Sequence, residues 1–431
     1  MKIVINPVRP VLCDLDQDFH VLVRLQSEPQ ADFKRTPLNL ALVIDRSGSM
    51  QGPKLREAKR CVVDLIQRMH SEDQVGLVQY DDQVDTVLQL TPVDQVSGII
   101  ESLVQGITAN GGTDLHAGWL RGGEMLARMA GNQSACHTIL LSDGQTNRGL
   151  TDTARICEQV SALAGAGVTT TTVGLGADFN EELMTAIAQA GQGSAHYGER
   201  AIDLAETFEA EIGLLSQLQW RNVGLSISGK STHVELLNTY QSVGDGWRMP
   251  SVALGSECWA LFRMPMREAI RLQSENGSVL KVIVRAQDAS GEKFIFEGLL
   301  QPLPIVSPDV YSSELAHELV ERRVNELNAA KLQMEIRDAA LRGDWFQVEQ
   351  LLNRLEAIGR HEPWVAASIA FTRQLMRERD ESRMSKEMLY KSRKMNNRLS
   401  STDEMMFSTK DDIELPAFLR RKSTEGRRSE T

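Results

Sequence analysis

Long apolar runs are missing from this chain. The opening "MKIVINPVRPVLC" is interrupted by Asn6, Pro7 and Arg9, and no later stretch is long enough to cross a bilayer or to form the core of an export signal. Membrane insertion is therefore not expected. Cysteine is scarce and without pattern. Its five residues (Cys13, Cys61, Cys136, Cys157 and Cys258) include no C-x-x-C pair. No pair has the spacing of a thiolate metal finger, and a reducing, cytoplasmic setting is the simplest expectation. Surplus positive charge is also missing, since 47 Lys and Arg face 58 Asp and Glu for a net charge of −11. General recognition of a phosphate backbone needs the opposite balance, so no nucleic-acid partner is expected. There is no Walker loop, nucleophile elbow or kinase signature, and the chain reads as a non-enzyme.

What is present is an ordinary globular composition, 42% apolar and 24% charged over 431 residues, enough for two or three domains. Residues 1–36 alternate apolar and polar side chains, as strands do. From Leu38 the pattern changes. "LNLALVID" and "HTILLSD" are unbroken apolar runs of strand length, the mark of strands buried on both faces of a parallel sheet. Between and after them come helical periods such as "GPKLREAKRCVVDLIQRMH", "DQVSGIIESLVQG", "LHAGWLRGGEMLARMA" and "DTARICEQVSALAGAG". "VDTVLQL" reads as an antiparallel edge strand. This alternation predicts a doubly wound, Rossmann-like α/β domain over 37–218.

After Trp220 the period returns to two, which predicts a β-sandwich-like module over 219–305. The N-terminal strands are expected to belong to that module, with the α/β domain inserted in or flanked by it. Residues 309–399 read as helices, with a hairpin turn at Arg342-Gly343-Asp344, and 400–431 as a disordered tail.

Three polar clusters adjoin the strands of the α/β segment: "DRSGSM" at 45–50, "ANGGTDL" at 109–115 and "SDGQTN" at 142–147. Ligands gather beyond the carboxyl ends of parallel strands. Asp45, Ser47, Ser49, Thr113 and Asp143 are all hard oxygen donors, a set suited to Mg2+, or Mn2+, rather than to zinc or copper. In Asp-x-Ser-x-Ser alternate side chains fall on one side of an extended turn, so three oxygens can converge on one point. Helix capping by Asp45 and Ser47 would leave Thr113 and Asp143 without a role.

The D-x-S-x-S motif, then G-G-T-D-L, then an apolar strand ending in S-D-G resembles the von Willebrand factor type A domain with its metal-ion-dependent adhesion site. The resemblance implies Mg2+ on Asp45, Ser47, Ser49, Thr113 and Asp143, with a coordination position open to the Asp or Glu of a protein partner. Two carboxylates among neutral hydroxyls leave a divalent ion incompletely shielded, which agrees with an acidic ligand. Bacterial members with flanking β-strands and a helical C-terminus resemble the whole chain. They act as scaffolds or adaptors, often beside ATPases or phospho-signalling enzymes. An accessory subunit of such a complex is the alternative expectation, and a metal-dependent phosphoester hydrolase ranks below it. Arg46, inside the motif, is expected to point to solvent, or else to favour an acidic partner.

Other features read more plainly. Arg342-Gly343-Asp344 is expected to be an inter-helix turn rather than an adhesion tripeptide, and Asp81-Asp82 a hairpin turn. The tail holds an apolar knot, Ile413, Leu415, Phe418 and Leu419, between acidic and basic runs. A knot of this kind is suited to being bound, and it resembles the C-terminal recognition peptide of the bacterial tubulin-like division protein over less than a dozen residues. Ser408, Thr409, Ser423 and Ser429 are candidate phosphoacceptors.

Overall fold

The computed structural model describes residues 1–27, 35–130, 134–175, 179–198, 208, 211–229, 232–288, 290–360, 363–396 and 400–401. The chain divides into two compact units. One is Ala31–Leu218 with Asp288–Glu292, and the other is Met1–Gln30, Gln219–Gln287 and Lys293–Thr431. The first two strands, β1 (Lys2–Pro7) and β2 (Asp18–Gln26), belong to the unit that also holds Gln219–Gln287.

The α/β unit is built on six strands: β3 (Leu38–Asp45), β4 (Gln74–Tyr80), β5 (Val84–Pro92), β6 (Ala135–Ser142), β7 (Val168–Leu175) and β8 (Gln192–Gly198). Their order is β5-β4-β3-β6-β7-β8, parallel throughout except for β5, which closes one edge antiparallel. This is the expected fold class. The unbroken apolar runs lie at its centre, and every residue of β3 and β6 is buried. The Asp81-Asp82 turn links β4 to β5, with the Asp81 carboxylate accepting from Gln83 N at 2.7 Å. β7, "VTTTTVGL", is sheltered despite its hydroxyls because they have partners: Thr172 donates to the Met184 carbonyl at 2.8 Å, and Trp119 donates to Thr170 at 3.0 Å.

The helices are α1 (Pro53–Gln67), α2 (Val93–Val96), α3 (Ile100–Gln105), α4 (Leu115–Ala127), α5 (Thr153–Gly165) and α6 (Glu181–Ala190). The single helix expected over "DQVSGIIESLVQG" is two short ones, broken at Ser97–Ile99, where Gly98 costs helical stability and brings no side chain to pack. α4 lies unusually near the sheet. A Cβ on Gly118 would stand 2.4 Å from the Tyr80 ring, and one on Gly122 would stand 2.6 Å from Val43. Only glycine permits that approach.

Beneath the sheet, Glu211 is buried between two histidines. It is 3.8 Å from His137 Nε2 and 3.5 Å from His196 Nε2, and it accepts from the Thr171 hydroxyl at 2.7 Å. Burial alone would raise the Glu211 carboxyl. The hydrogen bond and charge of His196, with help from His137 and Thr171, outweigh it and hold the carboxyl at about 2. His137 is lowered to about 4, first by burial and also by the positive charge on His196, against the pull of Glu211. His137 is therefore neutral and Glu211 ionised at neutral pH.

The other unit holds β9 (Leu218–Ile227), β10 (Glu235–Leu236), β11 (Gln241–Val243), β12 (Gly246–Arg248), β13 (Val252–Ala253), β14 (Ser256–Pro265), β15 (Lys281–Gln287) and β16 (Lys293–Leu299). One sheet runs β1-β2-β14-β10 and the other β11-β12-β9-β15-β16. They meet where Trp247 packs edge-on against Phe262 and where Gly298 abuts Ile3 and Ile5. β14 pairs with β2 along nine residues, from Glu257↔Gln26 to Pro265↔Asp18.

An element not expected from the sequence interrupts this β-rich stretch: helix α7, Met266–Asn276. Pro265 sets its entry, Gly277 caps it in the left-handed region at φ 72°, and Met266, Ala269 and Leu272 form its buried face. The C-terminal helices follow as α8 (Pro308–Ser313), α9 (Glu318–Leu341), α10 (Trp345–Gly359), α11 (Pro363–Glu378) and α12 (Glu381–Asn396). Arg342-Gly343-Asp344 is the turn between α9 and α10. Gly343 takes φ 69° there, and Asp344 caps α10 by accepting from Gln347 N at 3.0 Å. α9 is tied to β14 by the fully buried Arg323, whose guanidinium lies 4.6 Å over the Trp259 ring and 2.7 Å from Glu326. Among the described residues no helix is long and apolar enough to cross a membrane.

Candidate functional site

Asp45 is the last residue of β3, and Asp143 is the first beyond β6. These strands are parallel neighbours, with Ile44 opposite Leu141, so both acids reach the same end of the sheet. The turn after β3 is drawn across that end by two backbone bonds, Gly48 N to Gly111 O at 3.2 Å and Asn110 N to Arg46 O at 2.8 Å. The loop carrying Thr113 is thereby held against the turn carrying Ser47 and Ser49. It is held from the other side as well: Asn147 N and Arg148 N each donate to Thr113 O at 3.1 Å, and Thr113 N donates to Asn147 Oδ1 at 2.9 Å. Asp45, Ser47, Thr113 and Asp143 are buried, and Ser49 is exposed at the rim.

The contacts within this group are specific. Asp45 Oδ1 accepts from Ser47 N at 2.8 Å, and its Oδ2 accepts from Ser142 Oγ at 2.6 Å. The hydroxyls of Ser47 and Ser49 are 3.1 Å apart. Burial raises the Asp45 carboxyl above the usual range. The hydroxyl of Ser142 and both donors of Ser47 oppose that shift, and the neighbouring charge of Asp143 adds to it. Gly144, at φ 66°, has no room for a side chain beside Met184 and Asn180, which fixes the turn that presents Asp143.

Arg46 does not point to solvent. It turns to the β4–β5 hairpin and pairs with Asp81 at 3.1 Å and Asp85 at 3.2 Å, leaving its side chain 16% exposed. Two acids in one hairpin, near in space but distant in sequence, outcompete water for the guanidinium. Sequence reasoning missed two further residues. Ser142 stands in the sequence as the end of a strand, and its hydroxyl bridges Asp45 to Gly144 N, the latter at 2.8 Å. Lys54, in the first turn of α1, reaches Asp143 Oδ2 at 3.0 Å. Neither stands out in sequence, since serine and lysine are ordinary in a turn and on a helix. Ser408, Thr409, Ile413, Leu415, Phe418, Leu419, Ser423 and Ser429 lie outside the described residues.

Among the described residues no three carboxylate, imidazole or thiol groups converge as a metal cluster. The donor set here is instead two carboxylates with hydroxyls. It fits a small hard divalent cation on one further ground: Asp45 is fully buried, and the described residues place no Lys, Arg or His against it.

Comparisons with known proteins bear on the domain and its fold. The profile of the von Willebrand factor type A domain matches residues 39–210. A protein of Synechocystis sp. is 31% identical over 193 residues, 45% of this chain and 44% of its own length. Inter-alpha-trypsin inhibitor heavy chain H3 of Homo sapiens is 29% identical over 168 residues, 37% of this chain and 19% of its own length. The chain thus spans less than half the length of the curated relatives it matches. Among solved structures, a von Willebrand factor type A protein of Catenulispora acidiphila superposes with a TM-score of 0.66 at 19% identity, covering 85% of this chain and 88% of that one. The ArnB paralog VWA2 of Sulfolobus acidocaldarius gives 0.60 at 17% identity, covering 92% and 98%. At these identities the likeness is one of fold, and it extends beyond the α/β unit.

Proposed function

Because residues 39–210 form a von Willebrand factor type A domain, commonly a protein-interaction module, we propose that this chain is a scaffold or adaptor that captures an acidic side chain of a partner protein at a Mg2+ site. Asp45, Ser47, Ser49, Thr113 and Asp143 would hold the ion, with Mn2+ as a substitute. Bound there, Mg2+ supplies a coordination position that a partner's Asp or Glu completes.

The chain's own residues do the rest. The glycine-permitted turns fix the loops, Ser142 orients Asp45, and burial keeps competing water from the carboxylates. The observation that carries this reading is the buried Asp45 carboxylate, set among neutral donors beside a second acid, which a divalent cation would neutralise.

Titration calorimetry with Mg2+ tests it. One saturable site is expected on the parent chain and none on an Asp45→Ala, Ser47→Ala double variant that still folds. Absence of binding to the parent at millimolar Mg2+, or equal binding by the two proteins, sinks the reading.

A further inference from the structure

We infer that Lys54 is a counter-cation built into the site, which competes with the divalent ion for the charge of Asp143 and so weakens resting metal binding. The inference rests on the metal reading above and adds to it a residue that sets the affinity. Lys54 Nζ stands 3.0 Å from Asp143 Oδ2, with Asp143 wholly buried and the lysine side chain 21% exposed at the rim. The other oxygen, Oδ1, accepts a longer bond from Gln145 N at 3.3 Å. Asp45 is bonded by the neutral donors of Ser47 and Ser142, so the ammonium is the one described cation placed on the pair of acids.

The place of Lys54 on its helix gives a second, independent reason. It lies in the first turn of α1, which carries no acidic residue in that turn. The partial positive charge of a helix N-terminus disfavours a lysine there and favours a carboxylate. The helix does not want this charge at that end, and Asp143 does.

Charge counting gives the consequence. Two carboxylates and one ammonium sum to minus one. Adding a divalent ion with the ammonium in place brings the site to plus one, whereas the two carboxylates and the ion alone are neutral. Two cations within a few ångströms repel, whether the ion meets Asp143 directly or through a water. The ion must therefore displace Lys54 or bear its repulsion. The leftover positive charge disappears when an acidic partner side chain arrives, so metal retention and partner capture reinforce each other at this residue.

The test is Mg2+ titration of the full chain by calorimetry, at fixed salt and pH, across four proteins: the parent, Lys54→Gln, Lys54→Arg and Lys59→Gln. Lys59 lies on the same helix and donates instead to the Gln105 carbonyl, so its loss changes net charge without touching the site. Lys54→Gln is expected to bind Mg2+ at least about fivefold more tightly. Lys54→Arg and Lys59→Gln should match the parent. Circular dichroism melts without metal establish that each variant is folded, and Lys54→Met serves if Lys54→Gln is not. Equal affinities of parent and Lys54→Gln, or weaker binding by Lys54→Gln, overturn the inference and leave the metal site standing. If no protein binds Mg2+, the metal reading itself fails and this one falls with it.

Discussion

Substituting Gly118 by alanine puts a methyl group into a close helix–sheet approach of the α/β unit. The new Cβ would stand 2.4 Å from both Cγ and Cδ1 of Tyr80, where ordinary carbon contacts need about 3.5–4.0 Å. The ring must therefore retreat by over ~1 Å. It has nowhere to go, since Tyr80 is fully buried and sits opposite Asp45 in the β3–β4 ladder. Overpacking of this kind costs about 1–3 kcal/mol. Against it stands the gain from replacing a mid-helix glycine, about 1 kcal/mol. The net expectation is a loss of up to about 2 kcal/mol, or a melting temperature lower by up to about 8 °C for a unit of this size. Gly165, at the end of α5, is the paired control, because a Cβ there meets nothing within 4 Å. Gly165→Ala should stabilise by about 0.5–1 kcal/mol. Thermal melts followed by circular dichroism compare the two. If Gly118→Ala melts at or above the parent while Gly165→Ala behaves as expected, α4 does not rest on Tyr80 as described.

Two further predictions concern buried polar groups. His137 has its folded pKa lowered to about 4 from an ordinary 6.5, so as pH falls through that window the unfolded chain takes a proton that the folded chain refuses. Stability should drop by at most about 3 kcal/mol between pH 6.5 and 4, and Glu211, held at about 2 against an ordinary 4.5, extends the loss to lower pH. Denaturant midpoints measured across pH 7 to 4 would check this, and an equally steep profile in His137→Leu would refute it. Ser142→Ala removes the 2.6 Å hydrogen bond to Asp45 and the acceptor for Gly144 N, at an expected cost of about 1.5–3 kcal/mol. A denaturation midpoint indistinguishable from the parent would show that Asp45 does not depend on that hydroxyl.

The central sheet is legible in the sequence because a strand covered on both faces can hold almost nothing but apolar residues, as in "LNLALVID" and "HTILLSD". The edge position of β5 is legible from its alternation, and the turn at Gly343 from its glycine. Helix α7 is not, because a single period of Met266, Ala269 and Leu272 is easily submerged among strands of period two. The motif residues could be named because their spacing is local. What surrounds them could not. Arg46 meets Asp81 and Asp85, Lys54 meets Asp143, and Ser142 meets Asp45 only once separate segments are folded together. A charge in a sequence gives its sign but not its partner.

The pairing of β2 with β14 also fixes an order of events during synthesis. Leu25 finds Cys258 across the ladder, and the ribosome adds ~5–20 residues per second, so their meeting waits roughly ten to fifty seconds. In that interval the six-stranded sheet and its helices, from β3 to β8, emerge and can fold by contacts among themselves. Val21, Leu22, Val23 and Leu25, all buried in the finished protein, can pair with β1 in the meantime but lack β14 along their other edge. β1 and β2 are thus closed later than strands that follow them in the chain. They are the part of the nascent chain most in need of protection from wrong partners, and their closure is the step that should set the slow phase of refolding.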